Sequence, residues 1–563
     1  MISRRSFRGQ AASFGIALGL SYRVDIPPAA VDAPPQLLGD PVERVVAAFD
    51  AVAAQLLGLA ETLRRSGQPD LADIVEVNGY IAKDRELREN ALRRIRDDDA
   101  HAAHAVAQAV YEYAEAIGSL NDATLAERAT DVRQVGRRVL AQLSGSFSAA
   151  PDGPLVLCAR EIGAADLLER GDMVVAAVSM LGGPNGHASI IARSLGIPLL
   201  RGVDRELLEA PDGTEILVDT ARSRATVHPA VDERADAIAA MNGARRRREA
   251  LALERGLPCR TLDGHPIGLR ANVATAAETR AARAYNAGGV GLLRTEMPFL
   301  DAYGWPSEFQ HEAVLTPIIS KLTGQPVTVR TLDFADDKLP PFLRDRHEGD
   351  RLGRGLALML AESAAFVHQF RAILSVSLDV DLRIMIPMVA DVAELRACKK
   401  ILAECAAELG VPLPPIGAMI ELPEAVSAAD ELAREAAFIS IGSNDLTSRI
   451  LELDRRDPAL TPALAAHPRV LRAIAHTVDA AHRHDREVSV CGDAAAHPLV
   501  VPLLIGVNCD ALSVAPAALD EVRARVRRLN RDLCAEAAWQ AQRCHFFDDV
   551  MRIVEERCSP DVP

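Results

Sequence analysis

Apolar residues recur at helical spacing through residues 42 to 142, beginning with Val42, Val45, Val46, Phe49, Val52, Leu56 and Leu59, and that period predicts amphipathic helix. Further helices are predicted at 68 to 81, 84 to 97, 100 to 117 and 124 to 143, joined by short polar turns that suit antiparallel neighbours. The block reads as a helical bundle. From about residue 150 the pattern changes to short β-branched runs separated by helices: Leu155 to Cys158, Met173 to Val178, Leu199 to Leu200, Ile216 to Val218 and Ala225 to Val227. These runs predict a small α/β domain. Residues 7 to 24 read as strand, glycine turn, strand, with no partner sheet inside the helical block, so they are expected to join the later domain and make the bundle an insertion.

A charged helical stretch, Val231 to Arg255, leads into the C-terminal half. Eight strand-like runs follow, at 267 to 274, 289 to 297, 326 to 333, 380 to 389, 415 to 422, 438 to 446, 488 to 495 and 511 to 516. Most gaps between them are long enough for a helix, which predicts a (β/α)8 barrel with its chemistry at the C-terminal ends of the strands. The expected fold is therefore α/β. Residues 1–40 and 144–229 form one α/β domain, 41–143 the helical insertion, 230–256 a linker helix, and 257–563 a TIM-type barrel.

Composition adds exclusions. With 563 residues, 49% apolar and 25% charged, the chain has the balance of a multidomain globular protein. Its apolar runs are broken by Pro, Gly or charge short of the ~20 residues of a membrane span, so no direct membrane contact is expected. The net charge of −15 argues against nucleic acid as a ligand, since phosphate backbones attract clustered Lys and Arg. Nine scattered cysteines without a Cys-x-x-Cys pair suggest neither a zinc site nor a disulfide framework and fit a reducing cytoplasm. Ser3-Arg4-Arg5-Ser6-Phe7 has the form of a twin-arginine export signal. The apolar stretch behind it, however, carries Ser13, Gly15 and Gly19 and runs into Tyr22-Arg23-Val24-Asp25 without an evident cleavage site, and it is read as strand.

The ends of the barrel runs carry Arg294, Arg330, Glu421, Asn444 with Asp445, and Cys491. Guanidiniums offer planar, permanently charged forks for phosphate and carboxylate. Glu421 and Asp445 supply hard oxygen ligands of the kind Mg2+ takes alongside water and substrate oxygens. Together they describe a site for a small, doubly anionic phosphate ester. The Cys491 thiol, mostly protonated near neutrality, reads either as a proton donor or as a small buried apolar group. In the α/β domain, Gly182-Gly183-Pro184-Asn185-Gly186-His187 leads into an apolar helix from Ala188 to Leu195. A helix N-terminus there would favour an anion on the imidazole and keep the ring neutral. A capping histidine is the other reading.

These residues carry a resemblance to Enzyme I of the bacterial phosphoenolpyruvate (PEP):sugar phosphotransferase system, among the PEP-utilising enzymes. It rests on Gly-Gly-x-x-x-His-x-Ser-Ile-x-Ala-Arg-Ser-Leu around His187, Gly-x-Gly-Leu-x-Arg-Thr-Glu around Arg294, and Arg-Thr-Leu-Asp around Arg330. Ser-Ile-Gly-Ser-Asn-Asp-Leu-Thr followed by Asp454-Arg455, Cys491-Gly492, and the bundle segment Glu127 to Arg133 complete it. The resemblance implies that His187 is phosphorylated, that Arg294, Arg330, Arg354 and Arg455 hold PEP with help from Asn444, and that Glu421 and Asp445 bind Mg2+. It further implies that Cys491 protonates the enolate as pyruvate forms, that the insertion docks the phosphocarrier HPr, that the α/β domain swivels, and that the barrel makes a homodimer. The family's usual Thr-Ser before the histidine is Asn185-Gly186 here, its Gly-Gly-Asp-Lys is Ala335-Asp336-Asp337-Lys338, and its Cys-Gly-Glu is Cys491-Gly492-Asp493. Around Arg354 the match needs a one-residue shift, and Ala357 replaces a second arginine. The competing readings are another PEP-utilising phosphotransferase and a degenerate scaffold that binds a carrier protein.

Overall fold

A computed structural model describes residues 4–24, 40–65, 68–97, 100–118, 123–145, 150–182, 187–300, 302–334, 339–344, 355–455, 457 and 459–558. The chain forms two compact units, Met1–Arg247 and Arg248–Pro563.

In the first unit, eight strands make one sheet: β1 (Arg5–Arg8), β2 (Gln10–Ser13), β3 (Ile16–Arg23), β4 (Leu155–Ala159), β5 (Val174–Ser179), β6 (Leu199–Arg201), β7 (Glu215–Asp219) and β8 (Arg224–Val227). Their order is β1-β8-β7-β3-β4-β5-β6-β2. β3 lies between β7 and β4, so the segment ahead of the bundle supplies the middle of the sheet. Where the sequence suggests two strands before residue 24 there are three. A break at Gly9 sends β1 to pair with β8 and β2 to pair with β6, at opposite edges.

Among the described residues, five helices stand between β3 and β4: Pro41–Arg65, Pro69–Ile81, Arg85–Asp97, Ala102–Gly118 and Ala123–Ser144. The first is long and apolar enough to cross a membrane by length and composition alone. Its apolar stripe, Val45, Phe49, Val52, Leu56 and Leu63, is buried in the cluster that also holds Val106, Val110, Val135 and Val139 of the other helices. The last helix is tied to the sheet side by charge: Arg138 pairs with Asp166 at 2.8 Å and with Glu169 at 2.9 Å, and Arg137 donates to the Glu161 carbonyl at 3.0 Å. Burial alone would raise the Asp166 pKa, but Arg137, Arg138 and the Gly163 N–H together hold it below the usual carboxylate value.

In the second unit β9 (Gly268–Val273), β10 (Val290–Leu293), β11 (Pro326–Arg330), β12 (Asp381–Ile386), β13 (Ile416–Ile420), β14 (Ile439–Gly442), β15 (Val488–Cys491) and β16 (Ala511–Val514) close into a barrel. All of its neighbouring strands are parallel. Helices begin where the sequence caps them. Thr275 accepts the Glu278 N–H at 3.1 Å ahead of Ala276–Ala284, and Asp391 accepts the Ala393 and Glu394 N–H groups ahead of Val392–Leu409. The barrel interior is layered. At its N-terminal end Glu487 joins Arg270 (2.5 Å) and Arg383 (2.7 Å). An apolar layer of Leu292, Met385, Met419 and Phe438 lies against Cys491, with Arg330 among the polar groups at the opposite rim.

One buried group outside that rim makes stability depend on pH. His311, on helix Glu308–Ile319, is 1% exposed and meets Phe299 edge-on with ring centres 4.9 Å apart. Among the described residues neither ring nitrogen has a hydrogen-bond partner. Burial, with a smaller push from His368, lowers the imidazole pKa from 6.5 to about 4. The ring is neutral in the fold, so its contribution is whole above pH 6.5. It falls away as the unfolded chain takes up a proton that the folded chain refuses until about pH 4. The loss over that window is about 3 kcal/mol. Urea unfolding at pH 7 and pH 4.5 should therefore show a steeper decline for the native protein than for His311→Leu, and equal declines would refute the assignment.

Candidate active site

The C-terminal rim of the barrel gathers charge from five strands. Arg330 closes β11 and is 4% exposed, with its Nη2 donating to Glu296 Oε1 at 2.7 Å and its Nη1 3.0 Å from Asp333 Oδ2. Burial by itself would lower the pKa of this guanidinium, but Glu296, Asp333 and Glu421 outweigh it and hold the charge firmly in place. Arg294 follows β10 directly, half-buried, and among the described residues its guanidinium has no hydrogen bond or ion pair.

Glu421 follows β13 and is 1% exposed. Its Oε1 accepts the N–H of Met388, a residue held at φ +54° beyond β12. Its pKa is pushed up to about 8, first by burial and then by the charges of Asp333 and Asp445, against the opposing pull of Arg330. Gly442, the last residue of β14, leaves room for that carboxylate, since a Cβ there would stand 2.7 Å from Glu421 Oε2. Asn444 and Asp445, read from the sequence as part of a strand end, instead occupy the first turn of the helix Ser443–Leu451. The chain turns at Gly442, and the Ser443 hydroxyl donates to the Cys491 carbonyl at 2.7 Å, tying that first turn to β15. Asp445 pairs with Arg455 at 3.2 Å.

Cys491 closes β15, 3% exposed, its thiol donating to the Ile441 carbonyl at 3.6 Å and accepting from the Ser440 hydroxyl at 3.8 Å. Burial, then the charge of Glu421, pushes the thiol up to about 11 despite Arg330 and Arg294 nearby. It carries its proton at neutral pH. Gly492 is at φ +99°, and a Cβ there would stand 2.9 Å from Asn444 Oδ1. Asp493 engages Asn444: it accepts from Nδ2 at 3.1 Å and gives its N–H to Oδ1 at 3.2 Å.

The rim thus brings together Arg294, Arg330, Glu421, Asn444, Asp445, Arg455 and Cys491, while Arg354 lies outside the described residues. Residue reading overlooked the two carboxylates on Arg330. Glu296 and Asp333 stood in plain view as the last letters of Arg-Thr-Glu and Arg-Thr-Leu-Asp, but burial and pairing give them their meaning. No group of three His, Cys, Asp or Glu among the described residues is arranged to hold a metal. A cation on Glu421 and Asp445 would need water and substrate for its remaining positions, which is the habit of Mg2+.

In the first unit, His187 opens the helix His187–Leu195, whose Ile191 and Ala192 are fully buried. Arg193 donates to the Ala12 carbonyl at 3.1 Å and fixes the helix to β2. Residues 183–186, including Asn185 and Gly186, lie outside the described residues, as do 335–338. A cleft of about 1070 Å³ runs between the last two bundle helices and the loops after β4 and β5, lined by Tyr111, Glu115, Arg133, Arg160, Leu181 and Arg205 among others. It reaches Leu181, six residues before His187.

Three family models match in order: PEP-utilising enzyme, N-terminal, over residues 8–128; mobile domain, over 151–223; and PEP-binding domain, over 248–531. A multiphosphoryl transfer protein of Xanthomonas campestris pv. campestris is 35% identical over 567 residues, covering 98% of this chain and 67% of its own. A second, from Rhodobacter capsulatus, is 38% identical over 435 residues, covering 75% of this chain and 53% of its own. This chain therefore spans about two thirds and about half of those two relatives. The phosphoenolpyruvate-protein phosphotransferase of Bacillus sp. (strain S) is 30% identical over 555 residues and is covered, like this chain, to 95%. With its rim of arginines and carboxylates and all three family regions in order, the chain belongs to the PEP-utilising enzymes, in the company of the phosphoenolpyruvate-protein phosphotransferases.

Proposed function

We propose that this chain takes the phosphoryl group of PEP onto His187, releases pyruvate, and passes the group to a histidine of an HPr-like phosphocarrier protein in the service of sugar uptake. The observation that carries this reading is the half-buried, unpartnered Arg294 guanidinium, among the described residues, on the same rim as a protonated thiol and two mutually repelling carboxylates. Arg294, Arg330, Arg354 and Arg455 would hold the phosphate and carboxylate of PEP, with Asn444 on the phosphate.

Glu421 and Asp445 would hold Mg2+. Among the described residues, Arg294, Arg330 and Arg455 share this rim with Glu296, Asp333, Glu421 and Asp445. The charges of Asp333 and Asp445 help to raise the Glu421 pKa, and a divalent cation between Glu421 and Asp445 would relieve that repulsion. When bound, Mg2+ supplies positive charge to the oxygens of the transferring phosphoryl group. The protein's own groups do the rest: the arginines orient the substrate for in-line approach, and Cys491 gives its proton to the methylene carbon of the enolate.

At the other end of the transfer, a phosphate on His187 sits at a helix N-terminus, where free N–H groups and the dipole favour an anion. The domain reading follows the chemistry. Residues 1–40 and 144–229 carry the phosphohistidine, 41–143 receive HPr beside the 1070 Å³ cleft, 230–256 link, and 257–563 bind PEP and form the homodimer. The linker helix Val231–Leu253 is tied at its start by Glu233 to Arg4 (2.8 Å), and Arg255 just beyond its end is tied to Asp520 (2.7 Å). Bending between those ties would let His187 visit donor and acceptor in turn.

Incubation with labelled PEP and Mg2+ tests the reading. The full chain should gain acid-labile, base-stable phosphate, and His187→Ala should gain none. Absence of label on the native chain would sink the enzyme reading, whereas label that no HPr-like protein accepts would sink only the partner.

A further inference from the structure

The buried amide of Gln369 lies behind the rim, on helix Ser363–Val376, and is 0% exposed. Its Oε1 accepts the Leu332 N–H at 2.9 Å, and its Nε2 donates to Thr295 Oγ1 at 3.0 Å. Thr295 in turn donates to the Arg330 carbonyl at 2.9 Å. One side chain thus joins the residue after Arg294 to the second residue after Arg330. The residues it grips adjoin the two carboxylates that clamp the Arg330 guanidinium: Glu296 follows Thr295, and Asp333 follows Leu332. An amide is the side chain that can accept on one side and donate on the other without bringing in a charge.

We infer that Gln369 is a positioning residue, one that sets the spacing of Arg294 and Arg330 for PEP by fixing the ends of β10 and β11 to each other. The inference rests on the reading of these arginines as PEP ligands. Nothing in the local sequence singles Gln369 out. It sits among apolar residues, Phe366, Phe370 and Ile373, on a helix that packs against the outside of the barrel. A polar group with both of its hydrogen-bonding ends satisfied by strand-end partners is better placed to hold a loop than to fill a core, because each unmade bond leaves a buried backbone or hydroxyl group unpaired.

The test is single-turnover phosphorylation of the full chain by labelled PEP across a range of PEP concentrations, which separates half-saturation from maximal rate. Gln369→Met, which removes both ends of the bridge, should lower the rate at limiting PEP by about tenfold to a hundredfold, the scale of a misplacement of ~1 Å. Most of that loss should appear in half-saturation. Thr295→Val cuts the same bridge from the other side, and Thr295→Ser, which keeps the hydroxyl, should restore at least half of what Thr295→Val loses. The double variant Gln369→Met/Thr295→Val should be little worse than the poorer single one, because both act on one linkage. A lowered melting temperature with unchanged half-saturation and rate in both single variants would leave Gln369 merely structural and overturn the inference. Losses that simply multiply in the double variant would overturn it too. If Gln369→Met fails to fold, the Thr295→Val and Thr295→Ser pair decides the matter alone. Native chain that takes no label from PEP would bring down the parent reading and this inference together, a result distinct from the others.

Discussion

Arg330→Met should both destabilise the barrel and abolish phosphoryl uptake from PEP. The guanidinium is buried between Glu296 at 2.7 Å and Asp333 at 3.0 Å, so its removal takes one positive partner from each of two buried carboxylates. Breaking a buried pair from one side costs about 3–5 kcal/mol, and here two carboxylates lose the same guanidinium at once. Glu421 suffers as well, because Arg330 opposes the burial and repulsion that already raise its pKa. Arg330→Lys keeps a charge but not the planar fork. It should recover part of the thermal stability while leaving PEP half-saturation well above the native value. Melting curves and label uptake on the two variants separate the structural share of Arg330 from its binding share. An Arg330→Met protein with native melting and native uptake would remove this residue from both roles.

Much of this was legible in the chain itself, and the part that was not has a physical cause. All eight barrel strands lie within the runs expected of them, since strands buried on both faces read as continuous apolar stretches. The expected runs overshoot at their C-terminal ends: 438 to 446 shrinks to Ile439–Gly442 and 326 to 333 to Pro326–Arg330. The overshoot contains the chemistry. Ser443, Asn444 and Asp445 follow the buried run directly, yet they belong to a helix whose start is set by the glycine and by a bond to a strand 48 residues away in sequence. The roles of Glu296 and Gln369 are likewise invisible locally, because each is defined by a partner 34 or more residues distant. The first bundle helix, by contrast, is legible from spacing alone: Val45, Phe49, Val52 and Leu56 recur at helical intervals and pack together in the core shared with the other helices.

Cys491→Ala should keep PEP binding and lose turnover. The thiol is buried at the end of β15 and held at a pKa of about 11, so near neutrality the proton that a donor needs is present in essentially every molecule. Its neighbours suit a proton donor, for Arg294 and Arg330 stand near enough to favour the thiolate left behind, while burial and Glu421 resist it. That balance makes proton release depend on the substrate, because phosphoryl departure generates an enolate, a base strong enough to take the proton at carbon. Removing a positioned general acid costs typically about 10²–10⁴-fold, and the deficit should lie in pyruvate release. The substitution deletes one sulfur from the apolar layer of Leu292, Met385, Met419 and Phe438, which lowers stability by the loss of a small packed group without disturbing the arginines. Half-saturation by PEP should therefore remain near native. Pyruvate formed in deuterated solvent from PEP carrying tritium at one defined methylene position gives an independent readout, since delivery of the proton from one face yields a methyl group of single handedness (H, D and T on one carbon), whereas protonation by bulk water yields both hands. An undiminished rate in Cys491→Ala, or stereospecific labelling that survives the loss of the thiol, would return Cys491 to the status of a small apolar residue and require another donor on the rim.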